Sequence, residues 1–193
     1  MRRNDKVDAS ARRLVWLGLI ILLVVGLDQV TKVWALNNIP GQPPISLLGD
    51  TIRFSLVFNE GGAMGTSLGP SVFYLILTFI VLPLIVFYLW KNRQELSVAI
   101  PLALVCGGAI GNLTDRIRLG RVVDFIDVDF PDISLLGFEL TRWWTFNVAD
   151  AAISCAIAFL FIRLFFQASD HQAGQGEVSS EAKPVDSAES PAN

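Results

Sequence analysis

The chain has 193 residues, 52% of them hydrophobic and 17% charged, with a mean hydropathy of +0.51 and a net charge of −3. An average soluble domain carries ~25% charged residues, so this composition argues against one large soluble core, and the acidic balance argues against a nucleic-acid partner. Cys106 and Cys155 both fall inside apolar runs, which excludes a secreted disulfide framework and reads as two small packing residues.

The first apolar segment covers 14–36 and follows five basic residues, Arg2, Arg3, Lys6, Arg12 and Arg13. It reads as a membrane span and not as a cleaved signal peptide, because "DQVTKVWALNN" offers no clean small-x-small cleavage site. The loop 37–69 contains "ISLLGDTIRFSLVFN", two short runs around Gly49-Asp50. Ile52, Phe54, Leu56 and Phe58 alternate with Thr51, Arg53, Ser55 and Asn59, which predicts a β-hairpin with one apolar face. Such a hairpin either grips an extended peptide by its edge or simply connects two helices.

Apolar segments at 70–90, 97–113 and 143–166 follow. Each of the four is near the ~20 residues that cross a ~30 Å hydrocarbon core. Trp16, Trp34, Trp90, Trp143 and Trp144 lie near segment ends, where amphipathic rings favour the interface. The turn "KNRQEL" adds Lys91 and Arg93, whereas the loop 37–69 holds only Arg53, so both termini are expected in the cytoplasm. Arg116, Arg118, Arg121 and Arg142 break that rule in the outer loop 114–142, where they alternate with acids and are expected to be paired. In the third segment Gly107 and Gly111 form a small-xxx-small pair that permits close helix approach. The expected division is a cytoplasmic segment 1–13, a four-helix domain 14–166, and a polar tail 167–193 rich in Ser, Ala, Glu, Gly and Pro, read as disordered.

Ionisable groups in spanning helices cost about 2.5–3.5 kcal/mol each at mid-helix on insertion scales. Here they collect at one depth. Asp28 and Lys32 lie four apart at the outer end of the first segment and can pair. Asn112, Asp115 and Arg116 lie at the outer end of the third. Asn147 and Asp150 open the fourth, with Ser154 one turn deeper on the same face. Three helices thus present polar groups to the outer layer of the bilayer, as an enclosed polar site in lipid would.

The residue types exclude several chemistries. The single histidine, His171, sits in the tail, so a Ser-His or Cys-His nucleophile is excluded. Zinc chemistry lacks ligands. Lys32 reads as the ion-pair partner of Asp28 and not as an activator of serine. A pair of carboxylates sharing one proton remains, one taking a proton from water and the other donating to a carbonyl. Asp150 is the only acid of the fourth segment. In "RVVDFIDVDF", read as extended, Asp124 points with Ile126, Val128 and Phe130, while Asp127 and Asp129 point the other way and are expected to face water. Asp115, beside Arg116 and Arg118, is expected to be ion-paired with them.

Four blocks, "DQVTKVWA", "FNEGGAMG", "GGAIGNLTDRIRLGRVVDFIDV" and "FNVADAAIS", resemble the bacterial lipoprotein signal peptidase (signal peptidase II) family, in family order across most of 14–166. The resemblance implies an all-α membrane protein with four transmembrane helices and a small extracytoplasmic β-cradle. It implies an aspartyl endopeptidase of the bacterial cytoplasmic (inner) membrane that cuts the signal peptide from a prolipoprotein just before a lipid-modified cysteine. By motif match Asp124 and Asp150 correspond to the catalytic pair. Asp28, Lys32, Asn59, Gly61, Asn112, Arg116, Asn147 and Ala149 match positions that bind substrate or support the site. No metal or organic cofactor is implied, the partners are lipid-modified prolipoproteins and membrane lipids, and the enzyme is expected to be a monomer. A short amphipathic element is implied between Asp132 and Arg142.

This chain departs from the family pattern at Gly62 and Met64, at Thr114, and at Ala151 and Ala152, none of which removes a carboxylate. An ion-coupled transporter would also hold intramembrane Asp and Lys, but it needs a polar path across, and the inner halves of these segments are almost wholly apolar. A scaffold with purely structural charges would tolerate Asp124→Asn. Another type of intramembrane aspartyl peptidase would carry a Gly-x-Gly-Asp motif, which is absent.

Overall fold

The computed structural model describes residues 3–61, 71–129, 133–135, 138–140 and 143–181, with side chains described over 10–61, 71–129 and 143–167. The elements in chain order are α1 (Arg3–Asn38), β1 (Ile45–Leu48), β2 (Ile52–Asn59), α2 (Ser71–Lys91), α3 (Leu96–Leu119), β3 (Val122–Val128), β4 (Ile133–Leu135), β5 (Phe138–Leu140) and α4 (Val148–Glu181). The chain divides into two compact units, Met1–Ile157 and Ala158–Asn193. The first holds all the described strands and the site. In the second, the described residues continue α4 as far as Glu181, beyond the point where the tail was expected to begin. Gly62 and Met64 lie outside the described residues.

Among the described residues, four helices are long and apolar enough to cross a membrane: Ser10–Asn38, Ser71–Lys91, Leu96–Leu119 and Val148–Gln167. The protein is a multi-pass membrane protein, and its apolar side chains are distributed accordingly. Leu22, Ile80 and Phe161 point outward, at 68%, 60% and 71% exposure, where lipid tails solvate them as well as a protein core would. Helix α3 is the exception. More than half of its span is buried, and its residues Ala99, Ala103 and Cys106 pack with Leu17 of α1 and Leu89 of α2.

Glycines set how closely α3 approaches its neighbours. A Cβ on Gly107 would lie 2.7 Å from Val24 Cβ, and one on Gly111 would lie 2.5 Å from the Asp28 carboxylate, both in α1. The expected small-xxx-small pair therefore does face another helix. Gly108, on a different face, sits under α4: a Cβ there would meet Ala149 O at 2.6 Å.

α3 runs to Leu119, so Thr114, Asp115 and Arg116 are helical and not the start of the outer loop, as the boundary at 113 predicted. The helix can continue because Asp115 finds a counter-charge inside the protein (below). It ends at Gly120, whose left-handed φ of 72° lets its N–H reach Arg116 O at 3.1 Å.

The expected hairpin is present. The Gly49-Asp50 turn is closed by Thr51 N–H to Leu48 O at 3.1 Å, with Gly49 at φ 55°. β1, β2 and β3 form an antiparallel sheet in that order, with Val57 opposite Asp124 and Arg53 opposite Asp127. Its apolar side packs on the C-terminal end of α1: the rings of Trp34, Phe54 and Phe125 meet at centroid distances of 5.2, 6.4 and 6.0 Å. The element between Asp132 and Arg142 is a second pair of strands, β4 and β5.

Segment 143–147 is not the start of the fourth helix, as the apolar run suggested. It lies beside β3: Trp143 N–H donates to Val128 O, Phe146 N–H donates to Ile126 O, and Phe146 O accepts from Phe125 and Ile126. The helix begins at Val148.

Candidate active site

The start of α4 follows from local chemistry. Asn147 is its N-cap, and its Oδ1 accepts the N–H of Asp150 at 2.9 Å. Asp150 Oδ2 accepts the N–H of Asn147 in return, at 3.4 Å. This is a capping box, in which N-cap and third helical residue satisfy each other's free donors. It holds the Asp150 carboxylate at the mouth of the helix and not along its side.

Because segment 143–147 pairs with β3, Asp150 arrives next to Asp124. Both carboxylates line one cavity of about 310 Å³, together with Asn59, Trp143, Thr145, Phe146, Ala151, Ser154 and Cys155. Among the described lining residues most of the surface is apolar and the two carboxylates are the charged groups. Ser154 lies one turn below Asp150, as expected. Cys155 is a correction: it is exposed toward this cavity and is not a packing residue, whereas Cys106 is fully buried.

Every oxygen of the two carboxylates is met by a donor. Asp124 Oδ1 accepts from Asn147 Nδ2 at 2.7 Å and its Oδ2 from Asn59 Nδ2 at 3.0 Å. Asp150 Oδ1 accepts from Asn112 Nδ2 at 2.8 Å. Burial of Asp124, followed by the charge of Asp150, raises its pKa from 3.8 to about 6. The Asn59 and Asn147 hydrogen bonds and the charge of Lys32 oppose that rise. Such a carboxyl exchanges its proton near neutral pH, and carboxylates tuned this way serve as acids and bases.

The remaining expected residues all gather here. Asp28 and Lys32 pair at 2.9 Å with almost no exposure. Ala149 is fully buried, and its N–H donates to Asp28 Oδ1 at 3.0 Å. Gly61 N–H donates to Asn59 Oδ1 at 2.9 Å, and Arg116 Nη2 donates to Gly61 O at 3.0 Å. The guanidinium of Arg116 also stands 5.6 Å from the ring centre of Tyr74.

Two expectations fail. Asp115 does not pair with Arg116 or Arg118. It pairs with Lys32 at 2.8 Å, because its side of α3 faces α1, and Arg118 reaches Gln29 instead. Asp127 does not face water. It is 4% exposed and accepts from Arg53 at 2.9 Å, because the β2–β3 register places those two residues directly opposite. Asp127, foremost among other contacts, raises the pKa of Arg53. Gln29 was missing from the expected site, and Asp115 was grouped with its polar residues but given the wrong partner. Both sit inside blocks already singled out, "NLTDR" and "DQVTK", but nothing in their spacing announced that they meet. Among the described residues no group of His, Cys, Asp and Glu is arranged to hold a metal ion.

A family model described as signal peptidase (SPase) II matches residues 20–166. A protein named lipoprotein signal peptidase from Syntrophus aciditrophicus is 37% identical over 155 residues, covering 77% of this chain and 89% of the relative. One of the same name from Pelodictyon phaeoclathratiforme is 35% identical over 145 residues, covering 74% of this chain and 86% of the relative. Two solved structures described as bacterial membrane enzymes align with TM-scores of 0.69 and 0.63, at 28% and 29% identity. They cover 80% and 77% of this chain and 90% and 91% of theirs.

Proposed function

The chain belongs to the signal peptidase II family, and from that premise we propose that it is an aspartyl endopeptidase that removes the signal peptide from diacylglyceryl-modified prolipoproteins, cutting before the lipidated cysteine. Asp124 and Asp150 are the catalytic pair. The observation that carries this reading is that both carboxylates line one cavity while amide donors hold each of them from behind.

The chemistry needs no nucleophilic side chain. Two close carboxylates hold one proton between them, because two negative charges repel, and they titrate as a pair. The ionised one takes a proton from water as its oxygen attacks the scissile carbonyl carbon. The protonated one donates to the carbonyl oxygen, giving a neutral gem-diol. Collapse of the diol breaks the C–N bond. The leaving nitrogen takes a proton from the first carboxyl and one diol proton returns to the second. The products are a signal peptide ending in a carboxyl group and a lipoprotein beginning with a free amine.

Asn112, Asn147 and Asn59 orient the pair, and Arg116 and Gly61, joined to each other, contact the substrate backbone. The substrate's acyl chains lie in the bilayer beside Ser154 and Cys155. The enzyme sits in the bacterial cytoplasmic membrane with both termini inside, as a monomer. Residues 14–166 are the peptidase domain, with 1–13 and 167–193 as cytoplasmic extensions.

The test is cleavage of a lipidated precursor, with unlipidated precursor alongside. Asp124→Asn and Asp150→Asn should each abolish cleavage in protein that is folded and inserted. Substantial cleavage by either variant rejects the pair.

A further inference from the structure

Asp28, Lys32 and Asp115 are each 2% exposed or less, and none of them lines the cavity. Burying three ionised groups is expensive, and an apolar trio of similar volume is often as stable or more so. Something other than stability has to explain why charges stand there.

Their contacts suggest what it is. Asp28 Oδ1 accepts the N–H of Ala149, the residue immediately before Asp150, at 3.0 Å. Asp115 Oδ2 accepts the N–H of Val123, the residue immediately before Asp124, at 3.1 Å. The two anchors lie on different helices and grip different elements. Lys32 joins them, with its Nζ 2.9 Å from Asp28 Oδ2 and 2.8 Å from Asp115 Oδ2. Gln29 repeats the link with one amide nitrogen, 3.2 Å from Asp28 Oδ2 and 3.0 Å from Asp115 Oδ1.

We propose that Asp28, Lys32 and Asp115 form one buried clamp that sets the spacing of Asp124 and Asp150, holding each through the backbone N–H of the residue before it. The proposal rests on the aspartyl reading above. A backbone amide is a better handle than a side chain for this purpose, because it fixes where the next Cα, and so the next carboxylate, begins. The clamp also fixes a third group. The ammonium of Lys32 has three donors, and the third goes to Asn112 Oδ1 at 2.8 Å. That leaves the Asn112 Nδ2 to face Asp150 and never its oxygen, so Lys32 orients the amide that meets the carboxylate. All three members are positioning residues, since none touches the reacting atoms.

The experiment compares Asp115→Leu and Asp115→Asn in the full-length protein with lipidated precursor, measuring kcat and KM separately. Amide hydrogen exchange at Val123 and Ala149 is followed in the same samples. Misplacing a reacting group by about 1 Å can cost ~100-fold in rate. Asp115→Leu should therefore lower kcat by about that factor with KM within ~threefold, because the cavity walls are untouched. Asp115→Asn keeps an oxygen for the Val123 N–H and should recover about tenfold of the loss. Exchange at Val123 should accelerate in the Leu variant while Ala149 stays protected; Asp28→Leu should reverse that pattern. A folded Asp115→Leu protein with unchanged kcat, or with its loss in KM, overturns the clamp. If the Leu variant does not fold, wild-type kcat in Asp115→Asn overturns it equally. An Asp124→Asn reference in the same assay separates the two ideas: if that variant cleaves, it is the aspartyl reading that has failed.

Discussion

Asp124→Asn should raise stability at neutral pH while removing activity. A rise in pKa from 3.8 to about 6 in the folded state corresponds to about 3 kcal/mol of free energy. The sign follows from proton binding. Between those two values the unfolded chain has lost the proton and the folded chain still holds it. The folded state binds more protons there, so stability falls as pH rises from about 3.8 to about 6 and carries the full penalty above. An asparagine is neutral throughout and escapes that penalty. It has its own cost, because Asp124 accepts from both Asn147 and Asn59, and one amide group would then face another donor, at ~1–3 kcal/mol. At pH 7.5 the variant should be more stable by up to about 2 kcal/mol, and at pH 3.5 it should be the less stable protein by ~1–3 kcal/mol. Carboxylates remote from the pair titrate alike in both proteins and cancel. Thermal unfolding followed by tryptophan fluorescence between pH 3.5 and 7.5 should show the gap between variant and wild type moving by ~6–12 °C. A gap that stays constant over that range would refute the reasoning.

Three further outcomes are expected. Asn147→Ala removes the cap of α4, worth ~1 kcal/mol, and a donor to Asp124; its melting temperature should fall by ~2–4 °C while cleavage falls far more, which a paired melt and kinetic assay will show. Gly111→Ala places a Cβ 2.5 Å from Asp28 Oδ2 and should destabilise by ~1–3 kcal/mol, whereas Gly26→Ala meets nothing within 4 Å and should be neutral or slightly stabilising; equal melts for the two would show that α1 and α3 do not approach as described. N-ethylmaleimide should label Cys155 and spare Cys106, and the adduct should block cleavage by filling the cavity; mass spectrometry locates the label, and Cys155→Ala should be resistant.

Much of this protein can be read from local pattern, because the physics behind it is local. A run of about 20 apolar residues has to span or be buried, and all four runs lie largely in helices long and apolar enough to cross a membrane. Alternation around Gly49-Asp50 has to be a hairpin, and Asp28 and Lys32, four apart on one helix, have to be neighbours. Those features need no information from elsewhere in the chain. The failures are contacts between distant residues. Asp115 lies beside two arginines in sequence, yet it pairs with Lys32, 83 positions earlier, because glycines bring α1 and α3 close enough for that face of α3 to meet α1. Asp127 was assigned to water by alternation, yet Arg53 stands opposite it once β2 and β3 take their register. Asn147 and Asp150 carry a capping box that can be found in "NVAD", but its consequence cannot. Only when segment 143–147 pairs with β3 does that box face Asp124. The sequence by itself determined which segments are long and apolar enough to cross a membrane and which polar residues they carry near one end. Helix crossing and strand register, which depend on side chains far apart in the chain, decided which of those residues meet.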